Sequence, residues 1–327
     1  MEEVQQVHPA LSNIQQVDII GDVHGCHQPL IKLLQRLGYE KVRGTWKHRE
    51  RTAIFVGDII DRGPGIRECV ELVWRMYQEG SALTVLGNHE YNAVRFGDRL
   101  LQLISGDVKA GLPERISRLM KETIIQFMNR PQEWRQYTQW FATLPLFLEG
   151  PGYRVVHACW DPRLIEYYRN NYPEEGINES FIDASIEKGT QESRIVDRLT
   201  RGTSMPLPEG MQLEGKDGFI RGFFRTKFWA SEPETYGDVV FQPDPLPYEV
   251  AENKILDHHH KRLLQYGNDE PPVFFGHYWM KGRPAPLQDN IACLDYSAVN
   301  YGRLTAYSFN GEKVLKPENF TWVYVDP

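Results

Sequence analysis

Val17-Asp18-Ile19-Ile20-Gly21-Asp22-Val23-His24-Gly25 is an apolar, β-branched run that stops in a glycine, a carboxylate and an imidazole. The same order recurs twice. Ala53-Ile54-Phe55-Val56 runs into Gly57-Asp58-Ile59-Ile60-Asp61-Arg62-Gly63, and Leu83-Thr84-Val85-Leu86 runs into Gly87-Asn88-His89-Glu90. Short β-branched runs bounded by glycine favour strands. Helical stripes follow, at Leu30, Leu33, Leu34 and Leu37 and again at Cys69, Val70, Val73 and Trp74. This alternation predicts an α/β fold, with each loop at the carboxyl end of a strand, where open α/β sheets bind ligands. Three such loops would crowd carboxylates, an amide and imidazoles into one cleft, which is unfavourable unless cations neutralise them. The chain reads as a metal-dependent hydrolase.

The composition narrows the alternatives. With 41% apolar and 25% charged residues over 327 positions, the chain has the profile of an ordinary soluble globular protein. No apolar stretch approaches the roughly 20 residues that span a bilayer. Residues 1–16 are polar and acidic without a signal pattern, so the expectation is a cytoplasmic protein with no membrane partner. A net charge of −7 argues against nucleic acid as a partner, because such binding leaves a basic footprint. Cys26, Cys69, Cys159 and Cys293 are scattered without a CxxC pair and are expected as reduced thiols.

Along the chain, residues 1–15 read as a flexible lead-in and 16–327 as a single domain. A helix-rich insertion is expected over about 99–141, then strands at Leu144–Leu148 and Tyr153–His157. Residues 161–270 are irregular, with helices expected near Ile182–Leu199 and Ile255–Tyr266, and are expected to form a cap that shapes substrate access. Strands return at Val273–Phe275, Ile291–Leu294 and Leu304–Phe309.

Aspartate, asparagine and histidine suit Mn²⁺, Fe or Zn²⁺. Asp22 and His24 are expected to grip one metal, Asp58 to bridge two, and Asn88 to give a neutral oxygen to the second. His157 and His277 each follow an apolar strand and are positioned to complete that second site. Two ions about 3.5–4 Å apart stabilise both the attacking and the leaving oxygen of a displacement. His89 then falls beside the leaving group as a proton donor, with Asp61 orienting its ring. Arg62 offers a planar fork for phosphate oxygens.

A lone Asp after a strand is usually a turn former or helix cap, and a lone His a core residue. Three recurrences, 36 residues (22 to 58) and 30 residues (58 to 88) apart, decide for the site. Other tempting groups are set aside. His258-His259-His260 occupies consecutive positions that share no helical face and reads as solvated surface. Cys26 and His27 serve the turn into the first helix, alternation turns Cys159 away from the cleft, and the aromatic stretch from Trp134 to Phe147 reads as core.

GDxHG, GDxxDRG and GNHE together resemble the calcineurin-like metallophosphoesterase superfamily, and within it the phosphoprotein phosphatase branch. The match covers Val17 to Tyr91 closely and the His157 and His277 strands more loosely. The resemblance implies a central β-sandwich of two mixed sheets flanked by helices, and two divalent ions with Mn²⁺ as a common activator. It implies metal binding by Asp22, His24, Asp58, Asn88, His157 and His277. His89, Asp61 and Arg62 become catalytic, and Arg62 and Asn88 join phosphate binding. A second phosphate arginine belongs between the last two histidines, where Arg221 and Arg225 are the candidates and Arg225 is preferred. His157-Ala158-Cys159 replaces a common His-Gly-Gly, and Gly276-His277-Tyr278-Trp279 is similar to the bacterial dinucleotide hydrolases.

The expected reaction is hydrolysis of a phosphate ester by direct in-line attack of a hydroxide held between the metals. The expected substrate is phosphorylated. A phosphomonoesterase of the serine/threonine phosphatase type stands first, and a diadenosine tetraphosphate hydrolase is the alternative. A nuclease is disfavoured by the acidic charge. An inert metal-binding module is disfavoured because every ligand and the proton donor are present.

Overall fold

The computed structural model describes residues 8, 11–12, 16–107, 109–172, 176–207, 211–214, 220–241 and 246–326. Within them, each apolar run of the three opening motifs is a strand of one sheet. β1 (Val17–Ile20) pairs in parallel with β4 (Thr52–Phe55), and β4 with β5 (Ala82–Thr84), so the three end at one edge. A short hairpin, β2 (Glu40–Val42) and β3 (Thr45–Lys47), intervenes. On its other side β1 pairs antiparallel with β15 (Arg303–Phe309), which also carries β14 (Asp295–Tyr296) and β16 (Phe320–Tyr324). The second sheet runs β13 (Ile291–Cys293), β12 (Val273–Phe275), β7 (Tyr153–Val156), β6 (Phe147–Gly150). Its first three strands are parallel and its last pair antiparallel.

Strand alternation decides which side chains meet. Val17, Ile19, Ile54, Val56 and Val85 from the first sheet share a buried cluster with Leu148, Val155, Phe274, Ala292 and Leu294 from the second. The two mixed sheets therefore form a sandwich, as expected. Ile20, Ala53 and Phe55 point the opposite way and pack with helical residues. α1 (His27–Arg36) contributes Leu30, Leu33 and Leu34 there, and α2 (Ile66–Gln78) contributes Cys69, Val70 and Val73.

Between β5 and β6 lie α3 (Asn88–Arg95), α4 (Gly97–Ile104), α5 (Glu114–Leu119), α6 (Lys121–Phe127) and α7 (Pro131–Ala142). Trp134, Tyr137, Trp140 and Phe141 are buried in the main core. The strand expected from Leu144 starts only at Phe147: Pro145 has no N–H for the ladder, and its carbonyl accepts the Leu86 N–H instead.

After β7 come α8 (Pro162–Asn171), α9 (Glu179–Ile186) and α10 (Gln191–Arg201). The helix expected over Ile182–Leu199 is thus two. The chain turns at Gly189, with φ at +93°, and the Thr190 side chain caps α10 by accepting the Ser193 N–H. β8 (Thr203–Pro206) and β11 (Phe223–Thr226) form an antiparallel ribbon, and β9 (Leu213–Glu214) pairs with β10 (Ile220–Arg221).

Three single turns follow: α11 (Tyr236–Val239), α12 (Tyr248–Ala251) and α13 (Asp257–His260). With Met205 and Phe224 the first two enclose a small separate apolar cluster. The helix expected over Ile255–Tyr266 shrinks to α13 because its ends answer to different partners. Ile255 packs in that small cluster, whereas Tyr266 accepts a hydrogen bond from Arg154 at 3.1 Å.

Of the lead-in, His8, Leu11 and Ser12 fall among the described residues and the others lie outside them. Leu11 is buried between the sheets, and the His8 N–H donates to the Glu149 carbonyl. All four cysteines are buried free thiols. No helix among the described residues is long and apolar enough to cross a membrane.

Candidate metal centre

The carboxyl ends of six parallel strands open onto one cleft. β1 delivers Asp22 and His24, β4 delivers Asp58, and β5 leads into Asn88 and His89 at the start of α3. From the second sheet, β7 delivers His157 and β12 His277, and Asp295 opens β14 two residues past the end of β13. All are buried. Asp58 Oδ2 is the hub, 3.3 Å from His157 Nε2, 3.5 Å from His24 Nε2 and 3.7 Å from His89 Nε2. His157 Nε2 also lies 3.2 Å from Asn88 Oδ1. Asp22 accepts the His277 backbone N–H, at 3.1 Å on Oδ2. Among the described residues, two sets of potential ligand atoms each lie mutually within 4.8 Å, His24/Asp58/His89 and Asp58/His157/His277, and both contain Asp58.

Backbone conformation aims these groups. His24, Asp58, Asp61, Arg62 and His277 all have φ between 42° and 72°, a region that Asp and His enter more readily than most residues. Such conformations cluster at functional sites and persist where the surroundings enforce them. Two glycines allow the loops to close up. A Cβ at Gly87 would sit 2.3 Å from Asp58 Oδ1, and one at Gly276 would sit 1.8 Å from Asp22 Oδ1. Main-chain carbonyls orient two rings: His24 Nδ1 lies 2.8 Å from Ile60 O, and His157 Nδ1 lies 2.7 Å from Val56 O. Each therefore turns its Nε2 towards Asp58.

These residues fit a pair of divalent cations. His24 Nε2 and His277 Nε2 are buried with no hydrogen-bond partner, an arrangement that costs about 1–3 kcal/mol unless a ligand completes it. Burial, with the charges of Arg62 and His89, holds His24 well below its ordinary pKa. Burial, with Arg225 and His157, does the same to His277, so both rings are neutral and able to ligate. Burial and the neighbouring carboxylate of Asp295 raise Asp22, and burial pushes Asp295 itself up to about 6. Burial opposes charge on Asp58, yet His157 and His89 outweigh it and hold Asp58 well below the carboxylate range. Burial likewise opposes charge on His157, which Asp58 nonetheless pushes up to about 10. The Asp58–His157 pair thus holds a proton that a divalent cation could replace.

A second group sits beside this cluster. His89 Nδ1 is 2.5 Å from Asp61 Oδ2, and its Nε2 faces the cleft with Arg62 Nη2 at 3.4 Å. The Arg62 guanidinium lies 4.6 Å from the centre of the Trp279 ring. Arg225 lies on β11, close enough for its charge to depress His277.

Four contributors were not assigned roles from sequence. Glu90 accepts the backbone N–H groups of Asp58, Ile59 and Ile60. Thr123 on α6 accepts the Asp61 N–H and donates its hydroxyl to Asp61 Oδ1. Trp279 stacks on Arg62. Asp295 follows the apolar Ile291–Leu294 run, the pattern that identified Asp22 and Asp58, so a signal for it existed. Nothing in the sequence around Thr123 marks it. The triple histidine is corrected in one respect: His259 is buried and its Nδ1 lies 2.8 Å from the Tyr236 hydroxyl, while His258 and His260 are exposed.

Over 143 residues the chain is 36% identical to the asymmetrical bis(5'-nucleosyl)-tetraphosphatase PrpE of Halalkalibacterium halodurans, covering 43% of this chain and 55% of that protein. The chain thus spans about half the length of that relative. Against the symmetrical bis(5'-nucleosyl)-tetraphosphatase of Neisseria meningitidis it is 24% identical over 304 residues, 91% of this chain and 93% of that one. A protein serine/threonine phosphatase structure from Saccharomyces cerevisiae superimposes with a TM-score of 0.48 at 12% identity, covering 98% of this chain and 84% of that chain. Residues 16–201, more than half of the chain, match the family model described as calcineurin-like phosphoesterase. The chain belongs to the calcineurin-like phosphoesterase family.

Proposed function

We propose that this chain is a dinuclear-metal phosphohydrolase that cleaves the phosphoric anhydride of dinucleoside polyphosphates. The observation that carries the metal chemistry is the meeting of His24, His157 and His89 around one Asp58 oxygen, with unpartnered imidazole nitrogens on His24 and His277. Asp22 and His24 would hold one ion, Asn88, His157 and His277 the other, and Asp58 would serve both. Ions bound there would neutralise the carboxylates and supply Lewis acidity to the phosphate and to the attacking water.

The chain's own residues do the rest. Arg62 and Arg225 bind the equatorial phosphate oxygens and hold them in line for attack. His89 Nε2 donates a proton to the departing oxygen, and Asp61 fixes the ring through Nδ1. Trp279, stacked on the Arg62 guanidinium, holds its orientation.

A phosphoprotein substrate ranks first from the motifs alone. Those motifs serve monoesters and anhydrides alike, because they handle the attacked phosphorus and leave the departing group undefined. The relatives named as tetraphosphatases support the anhydride, which we therefore rank first. The near full-length alignment with the symmetrical enzyme supports cleavage of diadenosine tetraphosphate into two ADP. A Mn²⁺-supplemented assay sets diadenosine tetraphosphate against phosphoserine peptides and identifies products by ion exchange. Two ADP at the higher kcat/KM is the expected result. A marked preference for phosphopeptides would restore the phosphatase assignment, and ATP plus AMP would reverse the cleavage position.

A further inference from the structure

Strand pairing sorts the β8–β11 ribbon into two faces. Phe224 is buried in the small apolar cluster, and the Thr226 hydroxyl donates to Thr203 Oγ1 at 2.7 Å, so these residues form the inner face. The outer face then carries Phe223 and Arg225, opposite Pro206 and Ser204. Its inner end is pinned beside the metal centre. The Thr203 N–H donates to the Tyr278 hydroxyl at 3.3 Å, and Gly202 lies so close that a Cβ there would be 2.0 Å from that oxygen. Tyr278 adjoins His277, so Arg225 sits at the end of the ribbon nearest the cleft.

Phe223 stands two residues farther out on the same face, about 7 Å along the strand. It is 60% exposed, which is costly for a phenyl ring that takes no part in the core. The charges of Arg221, Arg115 and Arg62 are all felt at Arg225, so a polyanion is favoured at its foot. An aromatic face beside a phosphate-binding arginine suits a flat ring joined to phosphate.

We propose that Phe223 is a stacking platform for the nucleobase of a nucleoside polyphosphate whose phosphates lie on Arg225. The inference rests on the substrate class assigned above, since it supplies the base that this class requires. Stacking of this kind tolerates any base, because every base presents a π-face.

The test uses the full-length, Mn²⁺-loaded protein and inhibition of p-nitrophenyl phosphate turnover by ADP and by inorganic pyrophosphate. The readout is the ratio of the two inhibition constants. Phe223→Ala is expected to weaken ADP about tenfold relative to pyrophosphate, and Phe223→Trp to preserve the wild-type ratio. An unchanged ratio in Phe223→Ala would overturn the platform. That outcome includes an equal weakening of both inhibitors, which would mean that only Arg225 had moved. Because the reporter reaction needs no dinucleotide, failure of the wild-type chain to cleave diadenosine tetraphosphate would instead count against the substrate class.

Discussion

Glu90 accepts the backbone N–H of Asp58 at 2.8 Å, and the same carboxylate takes the N–H groups of Ile59 and Ile60. A side chain from the third loop thereby sets the backbone of the second, where Asp58 holds a positive φ of 51°. Burial and the nearby Asp58 raise the pKa of Glu90, so three backbone donors are what keep its oxygens satisfied.

Glu90→Gln places an amide NH₂ where at least one of those donors points. The expected cost is about 1–3 kcal/mol of stability, read by urea denaturation. Metal affinity is expected to fall by about 10- to 100-fold as the Asp58 loop relaxes, read by calorimetric titration. Unchanged Mn²⁺ affinity would show that the loop holds its shape without Glu90.

Asp58→Asn keeps the size of the hub side chain and removes its charge. Turnover is expected to drop to background and bound Mn²⁺ to fall in elemental analysis. In the unaltered chain, saturating Mn²⁺ should raise the melting temperature by about 5 °C, with EDTA reversing it, because ligands that bind only the folded state stabilise it. A melting curve indifferent to both reagents would remove the metal centre altogether.

His89 satisfies two descriptions, proton donor to the leaving group and member of a ligand triad with His24 and Asp58. The Asp61 contact on Nδ1 favours the first. His89→Ala is therefore expected to slow phosphoserine hydrolysis by about 10²- to 10⁴-fold with metal content intact. The loss should be smaller on an aryl phosphate, whose leaving group needs little protonation. Metal content falling in step with activity would make His89 a ligand.

Thr123 is buried and bonds both the backbone and the carboxylate of Asp61. Thr123→Val preserves its volume while removing both contacts. A loss of about tenfold in kcat with little change in KM is expected, and Thr123→Ser should restore it. Equal activity in the Val variant would leave Asp61 positioned by its His89 contact alone.

Much of the centre was legible because each strand-ending loop carries its chemistry locally. Asp22, His24, Asp58 and Asn88 follow their strands within a few positions, so pattern alone located them. His157 and His277 needed only the weaker signal of an imidazole after an apolar strand. Thr123 was illegible. Its helix lies 62 residues from Asp61 in the chain, and no local pattern encodes which helix will cover a loop. The single turn at Asp257–His260 escaped for a related reason, since helical periodicity cannot report that Ile255 and Tyr266 are claimed by different clusters, and the split at Gly189 comes from a left-handed turn that periodicity does not register.

By itself the amino-acid order determined the strands of the three opening motifs and which of their loops bear carboxylates, an amide and imidazoles. Those properties depend on neighbours along the chain. Only the tertiary structure decided that Glu90 and Thr123 brace the loops and that Phe223 stands exposed beside Arg225. Each of these depends on the register between strands and on packing between distant elements, which period and propensity leave open.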